Sequence, residues 1–322
     1  MADIGNHRRA DGLAARRTVA LAVTACLLMA CSPQENPDRD AARAEAGSPT
    51  SVGPDVEPKS TSTPEDVRAR VPTVPSTSEP RVLADQLDRA ATTVRDEGAR
   101  AVDVRRAGEF QQLAVRALAT TSEAFRRRVM RRLDPETALV TRPAVRASRQ
   151  LHGLTSPQQK LPRWRIVAPP PKAELRGHYR AAQRRTGVPW TYLAAIHLVE
   201  TRMGRIRGTS TAGARGPMQF IPETWEAYGA GGDINDPRDA VLAAARLLKD
   251  HGAPRDMAGA LWHYNPADEY VRAVSAYART MQRAPSTYRG YWHWRVLYSH
   301  ERGTYVLPVG YPRKRAVLLP EE

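Results

Sequence analysis

The sequence predicts an all-α protein. From Arg81 to Gln150 apolar residues recur at helical spacing with no strand-like alternation. From Lys172 onward, Gly, Pro and an Asp-Pro pair fall where helices stop and start. Residues 32–80 hold too little apolar material to join a core, so one full-size folded unit plus a smaller helical region is expected.

Residues 1–31 read as an export signal. His7, Arg8, Arg9, Arg16 and Arg17 form a basic start, and Thr18 to Met29 is an apolar run too short to span a bilayer as a stable helix. Leu28-Met29-Ala30-Cys31 resembles the bacterial lipobox, which implies Cys31 as the lipid-attachment residue and a membrane anchor. Both cysteines, Cys26 and Cys31, lie here, so the folded part contains no disulfide and no thiol chemistry. Residues 32–80, rich in Pro, Ser, Thr, Asp and Glu, read as a disordered linker. As a flexible coil its length gives a reach of roughly 40 Å between an anchor and the folded part.

Residues 81–160 form a helical accessory region. Its repeats are Leu83, Leu87 and Val94, then Phe110, Leu113 and Leu118, then Phe125, Val129 and Leu133. Arg126-Arg127-Arg128 and Arg131-Arg132 make one helix face basic, either a solvated face or a contact for an anionic wall polymer. Ser156 to Pro171 is Pro-rich and reads as a hinge into residues 161–310, the catalytic unit. There Gly187 caps one helix, and Pro189 begins another that runs to about Met203, placing Leu193, Ile196, Glu200 and Met203 on one side. Pro222 opens a short helix, Asp236-Pro237 caps and starts the next, and Ala267 to Met281 is amphipathic. Tyr288 to Trp294 gathers aromatics that either cap the core or extend a binding cleft, and residues 311–322 read as a basic flexible tail.

A carboxyl group in an apolar stripe is drawn toward its neutral form, because desolvation penalises the charge, and a raised pKa is what a general acid needs. Glu200 is that group. Around it, Val199 to Arg205, Ser210 to Phe220, and Ala260 to Asn265 followed by Tyr270-Val271 resemble the lytic transglycosylases of the lysozyme superfamily. The likeness is strong from Trp164 to Met281 and implies a lysozyme-like helical fold. Pro217 stands where many relatives have Leu, while Glu200-Thr201 and Asp236-Pro237 are more like the membrane-bound B type. The resemblance implies Glu200 as the sole catalytic carboxylate, with Ser210, Gly216, Met218, Gln219, Tyr264 and Asn265 lining the cleft for peptidoglycan glycan strands.

Glycosidic cleavage usually takes two carboxylates. Glu223, Glu226, Asp233 and Asp236 are near in sequence, but two belong to a following helix, one to a loop and one to a helix cap. With one group available, the resemblance implies a non-hydrolytic reaction that leaves 1,6-anhydroMurNAc ends, with no cofactor. A hydrolytic muramidase and a non-catalytic wall-binding lipoprotein are the competing readings. A net charge of +15 favours polyanions, including anionic cell-wall polymers, whereas an export signal and the lack of a recognition motif argue against nucleic acid. Tyr192 and His197 read as structural, and no histidine pair has metal-ligand spacing.

Overall fold

The computed structural model describes residues 75–320. The export signal, Cys31 and nearly all of the linker lie outside the described residues. From residue 80 onward the chain is mostly helical, as expected.

Four helices come first: α1 (Pro80–Arg95), α2 (Ala101–Thr120), α3 (Glu123–Met130) and α4 (Pro135–Gly153). Proline opens α1 and α4 at the first turn, where its missing N–H leaves nothing unpaired. Ser122 caps α3 by accepting from the Phe125 N–H at 3.2 Å. The predicted apolar residues face inward on each, with Leu83, Leu87, Phe110, Leu118 and Val129 almost fully buried.

Seven helices complete the helical part: α5 (Lys172–Thr186), α6 (Trp190–Thr201), α7 (Pro222–Tyr228), α8 (Pro237–Asp250), α9 (Met257–Tyr264), α10 (Asp268–Arg283) and α11 (Thr287–Trp292). Gly187 ends α5 at φ 80°, a left-handed position that favours glycine. Pro189 stands just before α6 rather than inside it, and the Trp190 N–H is capped by Gln183 Oε1 at 2.8 Å. Asp236 caps α8 as expected, accepting from the N–H groups of Arg238 and Asp239.

α6 departs from the expected one-sided stripe. Every residue from Trp190 to Thr201 is buried, because α5, α8 and α10 surround it. It also stops two residues early, since Arg202, Met203 and Gly204 all adopt positive φ.

The two helical regions share one hydrophobic core that runs from Leu83 to Trp294. α10 lies along α4, whose inner face is mostly small residues (Thr141, Ala144, Val145, Ala147) that permit close approach. The core is continuous across residue 160. Residues 81–160 contribute four of the eleven helices that, among the described residues, build this shared core.

The predominantly helical fold also carries a few short strands. β3 (Val296–His300), β4 (Gly303–Leu307) and β5 (Val317–Leu318) form an antiparallel sheet in the order β3-β4-β5, and β1 (Arg165–Ile166) pairs with β2 (Ile206–Arg207). A second apolar cluster joins these pieces through Trp164, Ile166, Ile206, Val296, Tyr298, Leu307 and Tyr311. Tyr298 donates to the Lys160 carbonyl at 3.0 Å and Tyr311 to that of Pro162 at 2.6 Å. The Pro-rich segment read as a hinge is therefore pinned, and the stretch read as a flexible tail contributes a buried tyrosine and a strand. Tyr288, Tyr291 and Trp294 are buried in the main core, so these aromatics cap it.

Candidate active site

Glu200 sits in the last turn of α6 with 7% of its surface exposed. Burial pushes its pKa up to about 8, opposed by a hydrogen bond from Tyr270 and by the positive charge of Arg202. At neutral pH most of it holds its proton. The Tyr270 hydroxyl, itself fully buried on α10, donates to Glu200 Oε1 at 2.7 Å. An oxygen that accepts from a phenol is poorly placed to carry the carboxyl proton, so the acidic proton belongs on Oε2.

Tyr270 extends the site further. Its ring lies parallel to that of Tyr264, with centroids 6.4 Å apart and planes 4° from each other. The Tyr264 hydroxyl donates to the Met218 carbonyl at 2.5 Å, and its ring meets Phe220 edge to face at 6.0 Å. A continuous path thus runs from the Glu200 carboxyl through two tyrosines to the 216–220 turn.

That turn is held from both ends. Arg215 and Phe220 exchange backbone hydrogen bonds at 2.8 and 2.9 Å, and Gln219 donates its side-chain amide to the Gly216 carbonyl at 2.9 Å. Gly216 has φ 74°, and a Cβ there would lie 1.9 Å from the Ile234 carbonyl oxygen, so no side chain fits. Gln219 also takes a left-handed conformation, at φ 49°. Four non-glycine residues among those described have positive φ; Arg202, Met203 and Gln219 belong to the end of α6 and this turn. Such conformations cost free energy and persist where packing over-determines them.

Thr201 supplies much of that constraint. Fully buried beside Glu200, its hydroxyl donates to the Pro217 carbonyl at 2.6 Å and accepts from the Gly204 N–H at 3.1 Å. It thereby fixes both the helix end and the turn.

The remaining candidates divide. Met218 is fully buried and acts here through its carbonyl. Ser210 closes its own loop, accepting from the Ala214 N–H at 3.0 Å while its own N–H donates to the Ala214 carbonyl at 3.0 Å. Asn265 is 2% exposed, and its buried Oδ1 makes no hydrogen bond among the described residues. A buried acceptor without a donor is the kind of group that a ligand or water satisfies. His197 is buried, bonded through Nδ1 to the Tyr179 hydroxyl at 2.7 Å, with burial pulling its pKa down to about 3. It is a neutral packing residue.

None of the four nearby acids joins Glu200. Asp236 and Asp233 accept from backbone N–H groups, and Glu223 and Glu226 are exposed on α7. No carboxylate contributes to the Glu200 pKa shift. Tyr270 is not marked out by the sequence although it stands just beyond Ala260 to Asn265, because its contact with Glu200 joins residues 70 positions apart.

Residues 178–286, which include the buried Glu200 carboxyl, the 216–220 turn and the tyrosine pair, match the family model of the transglycosylase SLT domain. That span holds every element of the site. Membrane-bound lytic murein transglycosylase F of Thiobacillus denitrificans is 39% identical over 80 residues, which cover 24% of this chain and 17% of that protein's length. This relative is of type F, whereas the sequence features resembled type B. No solved structure matches the chain significantly.

Proposed function

We propose that the protein is a peptidoglycan lytic transglycosylase that cleaves the MurNAc-GlcNAc β-1,4 bond. The observation that carries this reading is the buried carboxyl of Glu200, oriented through Oε1 by Tyr270, with no second carboxylate beside it among the described residues. Oε2–H protonates the glycosidic oxygen as the C1–O bond breaks. The resulting carboxylate removes the proton of the muramic acid C6 hydroxyl as O6 bonds to C1. One proton passes from O6 to the leaving oxygen through Glu200, and no water is consumed.

This cycle needs one group to be acid and then base, which a pKa near neutrality allows. Gly216, Gln219, Tyr264 and Asn265 border the sugar, and Met218 packs beneath them and holds Tyr264 through its carbonyl. Asn265 Oδ1 offers an acceptor to an acetamido N–H of the substrate, and Ser210 shapes the loop beside them. Turnover of purified sacculi tests the assignment. Glu200→Gln is expected to abolish it; unchanged turnover would take the catalytic role away from Glu200, and a wild-type protein that binds sacculi without turning them over would support a wall-binding role.

The lipid anchor is part of the same proposal. No helix among the described residues is long and apolar enough to cross a membrane. The lipobox-like Leu28 to Cys31 would tether the enzyme to the outer face of the cytoplasmic membrane. Detergent-phase partitioning of the expressed protein, lost in Cys31→Ser, is the expected result.

A further inference from the structure

α3 and α4 enclose a groove of about 450 Å³ lined by Arg126, Arg127, Arg131, Arg142, Arg146 and Arg149, with Glu123 the one acid. Glu123 is already paired, since it accepts from Arg127 Nη1 at 2.9 Å. Arg126 Nη1 is committed to the Leu118 and Thr121 carbonyls, and Arg142 Nη2 to that of Met130 at 2.8 Å. The guanidinium groups of Arg131, Arg146 and Arg149 are exposed and make no ion pair or hydrogen bond among the described residues.

Like charges four apart on a helix repel, and Arg127 with Arg131 and Arg142 with Arg146 stand at that spacing. A solvated face built for stability alone would interleave acids. Here the cations of two helices converge on one concavity, where their fields add and a polyanion releases the most counterions. The lining contains no aromatic residue; its apolar members are Met130 and Val145. Binding of single-stranded nucleic acid relies on aromatic side chains to stack bases, so the groove favours a polyanion without bases. Its concave shape favours one chain over a flat bilayer.

We propose that this groove binds a phosphodiester-linked polyol chain of the alditol-phosphate type, docking the enzyme on an anionic polymer through a site separate from Glu200. Binding and catalysis are read separately, so either can fail without the other.

The probe is synthetic poly(glycerol phosphate), titrated against the full chain at several salt concentrations. Replacing Arg131, Arg146 and Arg149 by Gln is expected to weaken binding by about tenfold to a hundredfold near 0.1 M salt and to reduce the log–log salt slope by about 2. Lys at the same three positions should bind within a few-fold of wild type, which guards against a folding defect. Removing three exposed arginines elsewhere, Arg184, Arg185 and Arg279 to Gln, should leave affinity nearly unchanged. Equal loss in that control would show that net charge alone binds the polymer and would overturn the proposal. So would tighter binding of an oligothymidylate with the same number of phosphates, or arginine-dependent binding to phosphatidylglycerol vesicles with none to the polymer.

Discussion

Glu200 keeps its proton near neutrality because α6 is buried on every side, and Tyr270 keeps that proton on one oxygen. The hydrogen bond from Tyr270 also holds the Glu200 pKa below what burial alone would give. Tyr270→Phe should therefore do two things at once. Turnover should fall by about tenfold or more, the loss of one hydrogen bond to a reacting carboxyl, while the alkaline limb of the pH–rate profile moves to higher pH. A rate loss with an unmoved limb would mean that Tyr270 acts only by packing. Glu200 was legible in the sequence because an acid in an apolar stripe is rare and three motifs surround it. Tyr270 was less so, because its role depends on α10 crossing α6, a contact between residues 70 positions apart.

At the scale of elements, Thr201 couples the end of α6 to the 216–220 turn by two buried hydrogen bonds. Thr201→Val keeps the shape but leaves the Pro217 carbonyl and the Gly204 N–H without their partner. A loss of about 1–3 kcal/mol is expected in chemical denaturation, with a larger fall in turnover than in stability, and Thr201→Ser should restore both. If Val matched wild type in activity, the turn would be held by other means. The helix signals in the sequence at Gly187, Pro222 and Asp236 rest on local chemistry and hold to within a residue or so, because caps act locally. The early stop of α6 was not visible, since Arg202 and Met203 are ordinary helix formers held left-handed by contacts distant in sequence. Nor was the β3-β4 pair, in which short strands mix buried and half-buried positions and depend on the Pro-rich segment to cover them.

For the whole molecule, one continuous core through both helical regions predicts one cooperative unfolding transition. Two resolved transitions in calorimetry would restore the separate accessory region. Stability should also carry the signature of Glu200. A carboxyl whose folded pKa lies above its unfolded value of 4.5 binds more protons when folded, so it contributes fully below that value and loses its contribution as pH rises through about 8. Glu200→Gln, which cannot ionise, should gain on wild type by on the order of a few kcal/mol between pH 5 and 8, read as a growing difference in denaturation midpoint. The central claim is that this one residue is both acid and base in a reaction that uses no water. Mass spectrometry of the muropeptides released from purified sacculi tests it most directly. The account predicts 1,6-anhydroMurNAc ends from the wild-type protein and none from Glu200→Gln; reducing MurNAc ends carrying oxygen from labelled water would contradict it.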